Sequence, residues 1–172
     1  MRGWLLDTNV ISELRKPRPD AKVTQFVSAQ SGHTLHASEV TFAEIRYGIQ
    51  QLSDPGRRVD IELWLDRMLR PLFADRVLAI TEDVIVRSKI MEAQGRKRGH
   101  TFGQPDLFVA AMAAVEDLVV VTRDTGEFVA AGVPAFDPWR SVLYSRDSET
   151  TVRVPATIDG VAEILSGRQR DR

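Results

Sequence analysis

The stretch that indicates the fold most strongly reads Leu-Val-Val-Val-Thr-Arg-Asp, at residues 118–124. We predict a strand over residues 118–122, because a continuous apolar run rich in β-branched residues is typical of a strand that is buried on both faces of a sheet. The preceding helical pattern, residues 105–115, opens with Pro105 and is rich in alanine, so we expect a mostly buried helix. A buried strand that follows a buried helix favours an α/β architecture.

Other apolar runs and helical patterns extend this arrangement along the chain. Further strands are predicted at residues 4–6, 34–37, 76–80 and 134–136. Helices are predicted at residues 9–14, 20–30, 41–52, 57–69 and 81–94, with Thr81 as the N-cap of the last and Gly95 just past its end. Strands that alternate with helices predict an α/β sandwich with a mainly parallel sheet of four to five strands.

Composition limits the class of protein. The 172 residues include 43% hydrophobic and 27% charged residues, close to the globular average, which excludes a wholly disordered chain. Cysteine is absent, so disulfides and cysteine-based zinc sites are excluded. The formal net charge of -1 does not indicate a globally basic nucleic-acid binder, but it allows a local basic patch. No apolar run is long enough for a membrane span, and Asp7 interrupts the first one, so a cytoplasmic protein is expected.

The composition changes after about Trp139. We predict one domain over residues 1–140. The segment 141–172 is rich in polar residues and ends in a charged run. We therefore predict that it is an appended tail, partly ordered or disordered.

Four acidic residues occupy the starts of predicted helices. Asp7 ends the first strand, Glu44 lies in the first turn of the helix near Thr41, Asp106 follows a proline, and Asp124 follows the strongest strand. Each has a purely local explanation. Asp7 and Asp124 can be N-caps, residues 41–44 match a capping box, and Asp106 suits the positive end of a helix dipole.

Taken together, the same acids indicate a binding site. In a parallel sheet, the carboxyl ends of the strands lie along one edge, where ligands bind at the point of reversed strand order. Two carboxylates about 4 Å apart repel each other by about 4 kcal/mol at an effective dielectric near 20. Protonation of one carboxylate or a bound cation must therefore reduce this repulsion. Hard oxygen ligands without cysteine or paired histidine suit Mg²⁺ or Mn²⁺, which can support phosphodiester hydrolysis. Spacing alone leaves the capping and metal-site explanations both open.

A basic segment precedes Asp106. Arg96, Lys97 and Arg98 could steer an RNA backbone toward the acids, or they could be solvated charges at a helix end. Arg123 could contact substrate or pair with an acid. Structural or surface roles are predicted for the histidines, which lack metal-ligand spacing and are His33, His36 and His100.

An ordered set of motifs resembles PIN-domain proteins. Residues 5–13 read Leu-Leu-Asp-Thr-Asn-Val-Ile-Ser-Glu, and residues 41–48 read Thr-Phe-Ala-Glu-Ile-Arg-Tyr-Gly. Residues 105–111 (Pro-Asp-Leu-Phe-Val-Ala-Ala), 121–128 (Val-Thr-Arg-Asp-Thr-Gly-Glu-Phe) and 136–139 (Phe-Asp-Pro-Trp) complete the set. Within the family, the chain is most similar to the FitB-like branch of VapC-type toxins. The resemblance covers about residues 1–140 and implies a compact α/β/α domain.

The resemblance also implies a site. Asp7, Glu44, Asp106 and Asp124 fall on the acidic quartet of the family. Metal contact would come chiefly from Asp7 and Asp106, with Glu44 and Asp124 in support. Many relatives have Asn at the position of Asp124 and an acid three residues later, so the fourth carboxylate could instead be Glu127.

The activity implied by the resemblance is that of a Mg²⁺-dependent endoribonuclease, the toxin of a type II toxin–antitoxin system. A metal-activated water would hydrolyse the RNA phosphodiester bond. Thr8, Asn9 and Ser12 fall near the site and could orient the first carboxylate or a phosphate. The family implies a homodimer that a cognate antitoxin neutralises in a hetero-oligomer, with DNA bound only through the antitoxin.

Two other hypotheses remain open on the sequence. The protein could be a catalytically weak PIN-like binding protein that acts through a DNA-binding antitoxin complex. It could also be an acidic-edge phosphotransfer receiver, although a convincing phosphoacceptor-plus-lysine arrangement is lacking.

Overall fold

A single sheet organises the chain in the computed structural model, which describes residues 1–146 and 148–167. Its strands, in chain order, are β1 (Gly3–Leu6), β2 (Leu35–Ser38), β3 (Val77–Leu78), β4 (Leu118–Val121), β5 (Ala135–Asp137), β6 (Val142–Ser145) and β7 (Ser148–Thr151). Their spatial order is β3-β2-β1-β4-β5-β6-β7. The first five in this order pair in parallel, and β6 and β7 pair antiparallel.

Helices flank the sheet on both faces. They are α1 (Thr8–Leu14), α2 (Ala21–Ala29), α3 (Glu39–Gln50), α4 (Pro55–Trp64), α5 (Arg70–Leu72), α6 (Glu82–Lys97), α7 (Gln104–Val115), α8 (Thr125–Ala130) and α9 (Ile158–Gly167). A π-helical turn, Leu65–Leu69, joins α4 to α5. The predicted α/β class with a mainly parallel sheet is confirmed, but the described residues form seven strands instead of four to five.

Side chains of the central strands point alternately to the two faces of the sheet, and a hydrophobic core lies on each face. Trp4 and Leu6 of β1 enter the core on one face with Phe26 of α2, and Leu5 enters the core on the other face with Val120 of β4. Successive side chains on a strand point to opposite faces, so a continuous apolar run serves both cores. The sequence patterns of β1 and β4 therefore suit the centre of the sheet, where the structure has them.

Helix α6 continues past its predicted end. Gly95, predicted just beyond the helix, is buried inside it, because the ring of Phe102 packs where a side chain on residue 95 would stand. The helix stops instead before Gly99, whose φ of 74° is the left-handed conformation that glycine adopts without strain. The loop that follows turns back on the last helical turn, where the His100 amide donates to the Gly95 carbonyl (2.9 Å).

Residues after 140 extend the sheet and cover one core. The β6–β7 hairpin pairs with β5, and Val161 of α9 is fully buried in the core that contains Trp4. The side chain of Gln30, the C-cap residue of α2, donates to the Ala156 carbonyl (2.8 Å), which ties this segment to the domain. Residues 147 and 168–172 of the predicted tail lie outside the described residues, and a boundary at residue 140 stays a prediction.

Membrane-spanning elements were sought in the same described residues. No helix there has both the length and the apolar character to cross a bilayer.

Candidate active site

Asp7 lies at the carboxyl end of β1, where the order of the sheet reverses between β1 and β4. Its Oδ1 accepts a hydrogen bond from the Thr8 amide (2.7 Å) as the N-cap of α1. Its Oδ2 accepts from Asn9 Nδ2 (2.8 Å) and from the Thr122 hydroxyl (2.7 Å). The side chain is therefore held in one orientation, and the residue is only 8% exposed.

Thr122 and Asn9 join the ends of the two central strands. The Thr122 hydroxyl accepts from Asn9 Nδ2 (2.8 Å) and from the Asp124 amide (3.0 Å) while it donates to Asp7. Asn9 Oδ1 accepts from the Arg123 amide (3.3 Å). Sequence reasoning identified Asn9 and missed Thr122, although Thr122 directly follows the apolar strand that precedes Asp124.

Helices on opposite faces supply two more carboxylates. Glu44 of α3 accepts a hydrogen bond from the Thr8 hydroxyl. Asp106 lies in the first turn of α7 and is partly buried. A Cβ atom on Gly103 would stand 3.2 Å from Asp106 Oδ2, so the small residue before α7 leaves room for this carboxylate.

Glu127, in the first turn of α8, contacts His100 of the loop that follows α6. His100 Nε2 lies 3.1 Å from Glu127 Oε2, and the His100 ring packs on Phe102. A structural or surface role was predicted for His100. The only feature of the sequence that pointed toward its contact with Glu127 was its position six residues before Asp106. Asp124 is exposed, and its Oδ2 lies 3.4 Å from Asn9 Nδ2.

The acids influence one another electrostatically. Burial raises the pKa of Asp7 to about 6; the hydrogen bonds from Thr122 and Thr8 oppose this rise, and Glu44 and Asp106 add to it. Burial also raises the pKa of Asp106, and the negative charges of Glu44, Glu127 and Asp124 raise it further. The fold therefore brings carboxylates from the starts of α1, α7 and α8 and from the middle of α3 into one electrostatic cluster.

Local capping accounts for only one of these acids. Asp7 makes a capping hydrogen bond, whereas Asp124 precedes α8 without one. The capping-box prediction for residues 41–44 is wrong, because α3 begins at Glu39 and its N-cap is Ser38, whose hydroxyl accepts from the Thr41 amide. Strand β2 runs directly into α3, so the cap falls at the end of the strand.

The donor set suits a hard divalent cation held mainly by water. Within residues 1–146 and 148–167, no three Asp, Glu or His side chains converge closely enough to hold an ion together. Mg²⁺, however, is commonly bound through one or two carboxylates and keeps several waters. Hard carboxylate oxygens from Asp7 and Asp106 fit such an open site, because a cation would offset the neighbouring negative charges that help to raise both pKa values.

Other predicted site residues lie around the cluster. Ser12 is exposed and, with Thr8 and Glu44, lines a groove of about 470 Å³ between α1, α3 and α4. The Arg123 guanidinium stacks on the Trp139 ring, 4.2 Å from its centroid. The predicted basic residues Arg96 and Lys97 lie in the last turn of α6, and Arg98 is the C-cap residue of this helix.

Comparison with known proteins identifies the family and the fold of this chain. Residues 4–133 match the family described as PIN domain. The chain is 38% identical over 135 residues to the VapC ribonuclease Y4jK of Sinorhizobium fredii (78% of this chain, 96% of the relative). It is 35% identical over 135 residues to the toxin FitB of Neisseria gonorrhoeae (78% and 97%). Its fold resembles a chain in the structure of FitAB bound to an IR36 DNA fragment, with a TM-score of 0.75, 33% identity, and coverage of 79% and 95%.

Proposed function

This chain belongs to the PIN-domain family, and from that premise we propose that it is a metal-dependent endoribonuclease, the toxin of a type II toxin–antitoxin pair. The observation that carries the proposal is the buried Asp7 at the strand-order reversal. Its pKa is raised to about 6 by burial and by neighbouring acids while three donors fix its side chain. The names of the relatives, a VapC ribonuclease and a toxin, support the same activity.

The chemistry of the proposed reaction is divided between an ion and the carboxylates. Bound Mg²⁺, or Mn²⁺, would neutralise charge on the phosphate and make hydroxide more available. Asp7 and Asp106 would hold the ion, with Glu44 and Asp124 in support. Thr122 and Asn9 keep Asp7 oriented, and Thr8 orients Glu44. Carboxylates that do not contact the ion would position the water that attacks phosphorus in line and accept its proton.

A pair of variants can show which residue at the start of α8, Asp124 or Glu127, is the fourth carboxylate of the site. Both Asp124 and Glu127 raise the pKa of Asp106, and Asp124 also faces Asn9. We favour Asp124, because it follows β4 closely at the reversal. Asp124→Asn should then reduce cleavage more than Glu127→Gln; the opposite order would assign the role to Glu127.

The central experiment uses purified full-length protein freed of antitoxin. RNA cleavage is measured with Mg²⁺, with Mn²⁺ and with EDTA. We expect metal-dependent cleavage that Asp7→Asn and Asp106→Asn abolish. Asp75→Asn is the matched control, because Asp75 is an exposed acid just before β3, at the other edge of the sheet. Intact RNA under all conditions with folded protein would overturn the proposal.

Partners and location follow the same proposal. We expect a cognate antitoxin to neutralise the protein in the cytoplasm and to provide DNA binding, by analogy with the FitAB complex that is bound to an IR36 DNA fragment. A homodimer is supported by apolar side chains that α6 exposes, Ile85, Val86 and Ile90. Light scattering on the wild type and on Val86→Glu checks this, since the variant should dissociate.

One observation favours a weaker alternative. Among the described residues no three acids converge on one point, and both oxygens of Asp7 already accept hydrogen bonds. A catalytically weak protein that acts through a DNA-binding antitoxin complex would have this arrangement. Intact RNA, together with antitoxin-dependent DNA binding, would support this alternative.

A further inference from the structure

A cluster of cations lies at the far end of α8 from the acidic site. Lys97 and Arg98 at the end of α6 line a depression of about 310 Å³ together with Gln94 and Arg146. Arg146 belongs to the turn between β6 and β7, so residues about 50 positions apart in the sequence meet here. Arg96 is not part of the lining; its guanidinium lies 3.8 Å from Glu92.

The end of α8 is shaped to admit Arg146. Gly132 follows the helix with a φ of 82°, and a Cβ atom at this position would stand 3.0 Å from Arg146 Nη2. The Arg98 guanidinium donates to the Ala130 carbonyl (2.8 Å) in the last turn of the same helix. Two guanidinium groups from separate segments therefore lie at one helix end, and that of Arg98 is hydrogen-bonded there.

The positive charge of this cluster is not neutralised within the described structure. Its lining contains no acidic residue. Among residues 1–146 and 148–167, neither Lys97 nor Arg146 makes an ion pair with an acid. Like charges that are grouped in this way repel one another, and a bound polyanion would offset that repulsion.

The cluster is close enough to the acids to contact the same polymer. Helix α8 extends from Asp124 to the cluster, and its six residues span about 9 Å at 1.5 Å per residue. The His100–Glu127 contact (3.1 Å) joins the loop after α6 to the first turn of α8. A single-stranded polyanion that reaches the acids can therefore continue along α8 to the cations.

We propose that Lys97, Arg98 and Arg146 form a subsite for the phosphate backbone of the RNA substrate. Arg146 is contributed by a hairpin that lies outside the residues matching the PIN domain, so the segment after residue 140 adds to substrate binding. This inference rests on the proposed ribonuclease function for the identity of its ligand. Arg96, which the sequence predicts as a substrate contact with Lys97 and Arg98, is not part of this subsite, and its role stays a prediction.

A structural role for the same residues predicts a different result. Cations at a helix C-terminus interact favourably with its dipole, so Arg98 and Arg146 could simply stabilise α8. Removal of a stabilising charge would lower the melting temperature and leave the salt dependence of RNA binding unchanged. The melting temperature and the salt dependence of RNA binding must therefore be measured on the same variants.

The test is fluorescence anisotropy with a labelled single-stranded RNA oligonucleotide, full-length antitoxin-free protein and EDTA. For Arg146→Ala we expect several-fold weaker binding at low salt. We also expect the slope of log K against log salt, measured between about 50 and 200 mM, to fall by about 0.7 for the lost phosphate contact. Arg146→Lys should restore most of the slope. The control Arg153→Ala removes an exposed cation from the same segment and should change neither quantity.

The outcomes separate this inference from the proposed activity. An unchanged slope in Arg146→Ala, an equal loss in Arg153→Ala, or no RNA binding by the wild type overturns the subsite. Cleavage by the wild type with an unchanged slope would reject the subsite and leave the ribonuclease intact. An Arg146-dependent slope without any cleavage would support the subsite and reject the ribonuclease. If Arg146→Ala weakens only antitoxin binding, the cluster binds an acidic peptide and the RNA subsite is wrong.

Discussion

Asp7 combines burial with hydrogen bonds that favour its charged form, and burial has the larger effect on its pKa. The Thr8 amide and the Thr122 hydroxyl lower the pKa, yet it remains near 6, about two units above that of a free aspartate. At neutral pH the ionised side chain therefore destabilises the folded protein in the absence of a cation.

The pH dependence of stability should report this effect. The folded-state pKa of Asp7, about 6, exceeds the ordinary value of 3.8, so its contribution to stability is fully present below about pH 4 and is lost as the pH rises through 6. The shift corresponds to an upper limit of about 3 kcal/mol. Asp7→Asn should remove this loss, and in EDTA at about pH 7.5 it should melt at the same temperature as the wild type or higher.

Thermal unfolding from about pH 4 to pH 8 measures this difference, with Asp75→Asn as the control. Asp75→Asn should keep the wild-type profile, because Asp75 is exposed. A clear drop in the melting temperature of Asp7→Asn at all pH values would show that the hydrogen bonds of Asp7 outweigh the cost of burying its charge.

At the scale of elements, the sequence predicts strands best where burial is greatest. The continuous apolar runs of β1 and β4 are buried at every position and were predicted within one residue of their ends. Strand β7 reads Ser-Glu-Thr-Thr and alternates between partly buried and exposed positions. This polar strand pairs with the hydrogen-bonding edge of β6. Its sequence has no local apolar pattern from which a strand could be predicted.

The end of α6 differs from its prediction for a packing reason that a variant can test. Alanine normally stabilises a helix interior by about 1 kcal/mol relative to glycine. At Gly95 the added methyl group would overlap the Phe102 ring, and such overpacking costs about 1–3 kcal/mol. Gly95→Ala should therefore lower the free energy of unfolding.

Gly48 of α3 provides the matched comparison, because nothing lies within 4 Å of where its Cβ atom would be. Gly48→Ala should raise the free energy of unfolding by about 1 kcal/mol. Urea denaturation of both variants gives the two values. If Gly95→Ala were as stabilising as Gly48→Ala, the Phe102 packing would not be what keeps glycine at this position.

At the scale of the whole molecule, the sequence indicated which acids lie at one edge but not what connects them. Strand order brings Asp106 close enough to raise the pKa of Asp7, as expected for helix starts along the carboxyl edge of a parallel sheet. Their roles in metal binding stay predictions. The contacts of Thr122, His100 and Arg146 were not predicted, because all three depend on how separate segments of the chain pack in the folded structure.

The segment after residue 140 should contribute to the stability of the whole domain. Val161 of α9 is fully buried in the core that contains Trp4. Val161→Ala should reduce the global free energy of unfolding by about 2 kcal/mol, within the range for truncated core side chains. Glu163→Ala, at an exposed position of the same helix, should change it little.

A single cooperative urea transition that shifts in Val161→Ala would support this integration. An unchanged main transition, or a separate early transition in Val161→Ala alone, would instead indicate that α9 unfolds independently of the rest.

The two borders of the sheet also bear on how copies of the protein can associate. Strand β3 is only two residues long, and β7 carries the exposed carboxylate of Glu149 within a polar sequence. Short or charged border strands are poor templates for strand addition by another chain. Ordered assembly should therefore proceed through helical surfaces, and fibril-like growth from the ends of the sheet should be disfavoured even in concentrated protein.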